Sequence, residues 1–248
     1  MKQTLSRLLT EVWALGRPPR GLRILLYHSI GGDLPDGTYR PIPVHCFREQ
    51  MAMLKAGARV VPLERSSLRE ANGVAVTFDD GYRDALTMAA PVLAALEIPF
   101  TVFVVPAFLT ANDSAYLTPE QLRALARVLG CRIGAHGMHH RPLADLPAEE
   151  AYAEPKHCRE ALEAALGQPV TDLAYPHGSA SRAVMDAAAR AGFTLAVCSR
   201  TGVNDAARDP LMLCRTEILA RDGARASRHK LRGAWDWHRW RHPDPARR

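Results

Sequence analysis

The stretch that decides the fold is VAVTFDDGYRDALTMAAPVLAALEIPFTVFVV, residues 74–105. It opens and closes with runs of branched and aromatic residues, VAVTFD (74–79) and FTVFVV (100–105), each apolar on both faces. Between them apolar residues recur at helical spacing over about 82–96. Two buried strands joined by a helix run parallel, because the helical crossover returns the chain to the same end of the sheet. The alternation continues in both directions. RILLYH (23–28) and RVVP (59–62) lie upstream, and CRIGAH (131–136), DLAYP (172–176) and TLAVC (194–198) downstream, which makes seven expected strands. Further helices are expected at about 45–56, 119–129, 147–166 and 181–191. Thr118, Pro119 and Gln121 suit a helix start, and Gly192 after Ala191 suits a stop. The pattern is that of an α/β protein, and this many units in 248 residues favour a closed or nearly closed barrel over an open sheet. The GxGxxG and GxxxxGK phosphate signatures of the open folds are missing.

Composition excludes several classes. With 47% apolar and 23% charged residues the chain is neither collagenous nor disordered, and no apolar run reaches the length of a membrane-spanning helix. Residues 1–20 read as an amphipathic helix carrying Leu5, Leu8, Leu9, Val12 and Leu15, without the apolar core of a signal peptide. Five scattered cysteines with no CxxC pair point to a reducing compartment, so a cytoplasmic location is expected. The net charge of +6 lies in residues 221–248, where nine Lys or Arg face Asp222, Asp236 and Asp244. That basic segment, with Trp235, Trp237 and Trp240, reads either as a packed terminal helix or as a peripheral contact at the inner membrane surface. No nucleic-acid partner is expected, since neither a helix-turn-helix nor an aromatic-interleaved basic groove is present. The expected organisation is a helix at 1–20, a catalytic domain at 21–220 and a basic tail at 221–248.

Polar residues gather where strands end. Asp79 and Asp80 close VAVTFD, and adjacent carboxylates repel unless a positive group sits between them. One could ligate a metal while the other, turned away by the strand's alternation, stays free as a base. Alone, DDG also reads as an acidic turn. CRIGAH ends in His136, with His140 four residues on. If that segment turns helically, the two imidazoles face one way, as a metal site requires, while His139 points elsewhere. Two imidazoles, one carboxylate and an open position suit zinc or a similar divalent ion in hydrolysis. After DLAYP, Pro176 and Gly178 force a turn that can aim a backbone N–H into the site, beside His177.

TFDDG, then HGMHH as HxxxH, then YPHG, in that order, resembles the polysaccharide deacetylases of carbohydrate esterase family 4, the NodB-homology family. The resemblance covers about residues 22–220. It implies a distorted (β/α)7-type barrel of parallel strands with helices outside, and a metal-dependent hydrolase that removes N- or O-acetyl groups from glycans such as chitin, peptidoglycan or poly-N-acetylglucosamine. By position, Asp79 resembles the catalytic base, and Asp80, His136 and His140 the metal ligands. His177 offers its backbone N–H to the oxyanion, and Tyr175 and Pro176 line the substrate. The family's late LxH motif, which supplies a general acid, is replaced here by an early one, Leu26-Tyr27-His28. A circularly permuted motif order resembling that of poly-N-acetylglucosamine deacetylases makes His28 the expected acid. Ala174 stands where many members carry an arginine that orients the base, Gly137 where Ser or Thr is usual, and CSRTGVND where an Asp-Trp motif is usual. The expected cofactor is zinc and the expected partner an acetylated glycan, an exopolysaccharide or its precursor. The competing reading is a glycan-binding protein that keeps the barrel and has lost turnover. A phosphoester hydrolase ranks last, since a phosphoaspartyl enzyme needs DxD.

Overall fold

The computed structural model of the chain describes residues 20–32 and 40–237. Its strands are β1 (Arg23–Tyr27), β2 (Arg59–Val60), β3 (Gly73–Phe78), β4 (Phe100–Val104), β5 (Cys131–Ala135), β6 (Asp172–Ala174), β7 (Leu195–Val197) and β8 (Thr216–Glu217). Its helices are α1 (Val44–Gly57), α2 (Ala90–Ala95), α3 (Pro106–Leu109), α4 (Pro119–Ala126), α5 (Ala148–Leu166), α6 (Arg182–Arg190) and α7 (Ala224–Leu231). The expected N-terminal helix lies outside the described residues, as do Trp240 and residues 33–39.

Hydrogen bonding runs in the order β7-β6-β5-β4-β3-β1-β8, and every pair on this path is parallel. The ends of the path approach each other, because Val197 of β7 bridges in parallel to Leu213, just before β8. Residues 213–217 therefore connect β7 to β1, and the sheet curls into a distorted barrel with helices outside. RVVP does not belong to that path. Only Arg59 and Val60 pair, with the start of β3, and the seventh member of the path is β8, which the sequence did not single out. Two paired residues carry too little of a two-residue period to be read by eye.

The strands bury both faces. Val74, Val76 and Phe78 of β3 join the larger cluster under the helices, with Phe100, Val102 and Val104 of β4. Ala75 belongs to the smaller cluster, with Ile24, Phe103, Ala174, Leu195 and Leu213. Gly134 on β5 leaves room for the Phe103 ring: a Cβ there would sit 2.5 Å from it.

The helix expected at 82–96 enters through a π-helical segment, Ala85–Ala89, before α2. Pro91, with no N–H to give the preceding turn, stands just beyond it, and the wider register accommodates that missing donor. At α4 the Thr118 and Gln121 capping box is fully formed.

Residues 221–237 pack into the barrel. Ala234, Asp236 and Trp237 are buried, and Asp236 receives two hydrogen bonds from the buried Arg23 guanidinium, at 2.9 and 2.8 Å. Trp237, read as a candidate interfacial anchor, is held in the protein interior instead. Among the described residues no helix is long and apolar enough to cross a membrane.

Candidate active site

Parallel strands bring their C-terminal ends to one face, which is where barrels of this class assemble polar sites. The register places Tyr27, Phe78 and Val102 side by side, so His28 and Asp79 emerge from adjacent strands β1 and β3. Asp80 and Gly81 both take positive φ, 72° and 74°, which turns the chain sharply and sends the two carboxylates in different directions.

Asp79 points at Arg215. The guanidinium donates Nη1 to Asp79 Oδ1 at 2.6 Å and Nη2 to Oδ2 at 2.7 Å, while Nε donates to the Cys198 carbonyl at 3.0 Å. Arg215 is 1% exposed and lies over the Phe103 ring at 5.7 Å. Burial acts to raise the Asp79 pKa, but the Arg215 charge and hydrogen bonds, with His136 nearby, hold it down at about 2. The arginine that Ala174 does not provide thus arrives from the residue before β8. Its only sequence signal is that it is the one basic residue inside the largely apolar run LMLCRTEILA, 211–220.

Asp80 points at the histidines. Its Oδ1 lies 3.3 Å from His136 Nε2 and 3.3 Å from His140 Nε2, and it is buried with no hydrogen-bond partner. One ligand atom from each of these residues lies within 4.8 Å of the others. The His136 Nδ1 contacts the Ala174 carbonyl at 2.8 Å. A carbonyl only accepts, so Nδ1 carries a proton there and Nε2 is the nitrogen turned to Asp80. Burial, His136 and His177 lower the His140 pKa to about 4, which keeps its imidazole neutral. Burial also acts to lower His136, but Asp79 and Asp80 outweigh it and raise its pKa. An orphaned buried carboxylate oxygen between two imidazole nitrogens fits a divalent cation.

The segment linking these histidines is not helical. Gly137 and His140 adopt positive φ, 73° and 59°, and this irregular bend rather than a helical turn aims both rings at Asp80. A Cβ on Gly137 would come within 3.0 Å of Pro176 Cγ, which accounts for glycine there. His139 points away, as expected, and pairs with Glu154 at 2.8 Å.

Other expected residues divide. His28 is half-buried and near enough for its charge to lower the pKa of both Asp79 and Asp80. His177 has φ 57°, and its ring lies 4.4 Å from the His140 ring, tilted by 50°. Tyr175 and Pro176, expected to line the substrate, are buried. The Tyr175 hydroxyl donates to the Leu211 carbonyl at 2.8 Å, so that side chain holds the core together and offers nothing to a ligand. On the far side of His140, Phe108 and Tyr116 form an aromatic wall, with Phe108 5.8 Å from the His140 ring.

Residues 68–196 match the family model described as polysaccharide deacetylase. A protein of Bacillus subtilis (strain 168) provisionally named as the polysaccharide deacetylase YxkH is 26% identical over 226 residues, covering 88% of this chain and 78% of that one. Among solved structures, the Streptococcus pyogenes deacetylase PplD in complex with acetate superposes with a TM-score of 0.74 at 25% identity, over 84% of this chain and 96% of that one. IcaB from Ammonifex degensii superposes with a TM-score of 0.71 at 22% identity, over 90% of this chain and 98% of that one, a likeness of fold.

Proposed function

Because this chain belongs to the polysaccharide deacetylase family of hydrolases, we propose that it removes acetyl groups, chiefly N-acetyl groups of amino sugars, from a poly- or oligosaccharide or a glycan precursor. Asp80, His136 and His140 hold a divalent metal ion, and their mixed oxygen and nitrogen donors suit zinc. The observation that carries this reading is the convergence of Asp80 Oδ1 with two imidazole Nε2 atoms beside a second carboxylate kept off the cluster by Arg215. Bound there, the ion supplies a Lewis acid that polarises the acetyl carbonyl and makes water more acidic.

The chain's own residues do the rest. Asp79, ionised and fixed by its two bonds to Arg215, accepts a proton from the attacking water. The backbone N–H of His177 donates to the oxygen on which negative charge develops. His28, beside the carboxylate pair, protonates the departing amine. The glycan-binding alternative drew on the absent arginine at Ala174, and the Arg215 contact on Asp79 favours turnover over it.

The test is acetate release from N-acetylglucosamine oligomers by metal-stripped protein, before and after zinc is restored, beside Asp79→Asn. Zinc should restore activity, and the substitution should lower kcat by roughly 10²–10⁴-fold. Zinc-loaded protein that binds such oligomers and releases no acetate would overturn the proposal.

A further inference from the structure

The same end of the barrel carries a depression beside the strand-end cluster. It holds about 370 Å³ and is bordered by His28, Arg40, Ile42, Ile218, Leu219 and Arg221. His28 is the wall it shares with the cluster, since it follows Tyr27, which pairs with Phe78 and whose carbonyl accepts the Asp79 N–H at 3.0 Å. The volume lies at the small end of the ~300–1,000 Å³ range of ligand sites, the size for a single sugar residue.

Among the described residues that border it, the fixed charge has one sign. Arg40 and Arg221 are exposed, and neither is paired with a carboxylate of another described residue. Asp222, next to Arg221 in the chain, is turned away: its Oδ2 takes Lys230 Nζ at 2.5 Å and the Leu219 N–H at 2.8 Å. The described residues bordering the depression include no carboxylate. Two planar, permanently charged forks bordering the same depression as the apolar Ile42, Ile218 and Leu219 match an oxyanion carried on a carbon-rich ring.

We propose that this depression is a specificity subsite, resting on the deacetylase reading above, for the sugar next to the one deacetylated. It selects a neighbour bearing an anionic group, a carboxylate or a phosphate ester. The same two guanidinium groups repel an ammonium, so a neighbour that has already lost its acetyl group is a poor occupant, and successive attack on adjacent sugars is disfavoured.

The test measures binding separately from turnover. The full chain, loaded with zinc, is titrated calorimetrically with three tetramers of equal length: neutral N-acetylglucosamine, one with alternate carboxylate-bearing sugars, and one carrying a phosphate monoester. One anionic tetramer should bind about tenfold more tightly than the neutral one, and less so as salt is raised. The arm that shows the preference identifies the anion. In Arg40→Gln/Arg221→Gln the ratio of anionic to neutral Kd should fall to about one, while Arg40→Lys/Arg221→Lys should keep part of it. Equal affinity of the parent chain for all three tetramers overturns the subsite, as does a preference that survives the double Gln change. Acetate release without anionic preference would remove the subsite and leave the deacetylase reading. Anionic preference without acetate release would remove the deacetylase reading, and with it the subsite's relation to a reacting sugar, and leave an anion-selective glycan-binding site.

Discussion

At Asp79 two opposing effects meet, and the balance between them fixes what the residue can do. Burial favours the neutral acid, while Arg215 holds the carboxyl at about 2, below its unfolded value of 3.8. A folded pKa below the unfolded one contributes stability that is complete above 3.8 and is lost as pH falls through about 2, so the pair stabilises the fold across the neutral range. The carboxylate is already ionised there, and geometry rather than protonation is what Arg215 adds. Lysine cannot reproduce two parallel bonds to Asp79 and a third to Cys198. Arg215→Lys is therefore expected to lower kcat by roughly 10–100-fold with little change in KM, read from acetate release. Arg215→Ala strands a buried charge and should cost roughly 3–5 kcal/mol in urea unfolding. Wild-type kcat in either variant would remove the positioning role. The residues that converge at the strand ends were legible because local spacing carries them: Asp79 and Asp80 are adjacent, and His136 and His140 lie four apart. Arg215 was not, since it sits 136 residues from its partner and meets it only when the barrel closes.

Elements meet the site through their ends, and the segment after β1 is fixed by the start of the helical run after β3. The Ser29 hydroxyl donates to Asp84 Oδ2, and the Asp84 carboxyl also takes the N–H groups of Ile30 and Gly32. Burial pushes the Asp84 carboxyl up to about 6 despite those bonds and the nearby Arg83. Its folded pKa thus exceeds the unfolded 3.8, so its contribution is fully present below 3.8 and is lost as pH rises through about 6. Asp84→Asn carries no such titration. It should flatten the pH dependence of unfolding between about 4 and 6 and exceed the parent in stability above pH 6 by on the order of 2 kcal/mol. Urea midpoints that fall in parallel for parent and variant across that window would refute the assignment. Element boundaries followed local chemistry where the chemistry was complete, as at the Thr118 capping box. They failed where tertiary packing decides: HxxxH reads as a helical turn, yet Gly137 packed on Pro176 forces a left-handed bend.

Across the whole molecule, the last described turn is joined to the first strand. Arg23, the opening residue of β1, donates to both carboxylate oxygens of Asp236 and, at 2.9 Å, to Thr216 of β8. The two members of the ion pair are 3% and 0% exposed. The contact lies where strands begin, at the end opposite the Asp79, Asp80 and histidine cluster, and it fastens residues 234–237 under the edge where β8 completes the path. Read from composition, 221–248 is a basic tail. The fold makes its first part a structural component, because a buried arginine on β1 needs a carboxylate that nothing nearer in sequence supplies. Removing one member of such a pair leaves the other charge buried and uncompensated. Asp236→Ala should cost roughly 3–5 kcal/mol, a fall in Tm of about 10 °C for a chain of this size. Arg23→Met/Asp236→Leu, which replaces both charges with apolar volume, should recover most of that loss. Below its lowered Tm the single variant should keep its kcat, since no residue of the cluster touches the pair. A Tm for Asp236→Ala within a degree or two of the parent would mean that water reaches Arg23 when Asp236 is gone, and that the C-terminal segment is not what closes this end of the barrel.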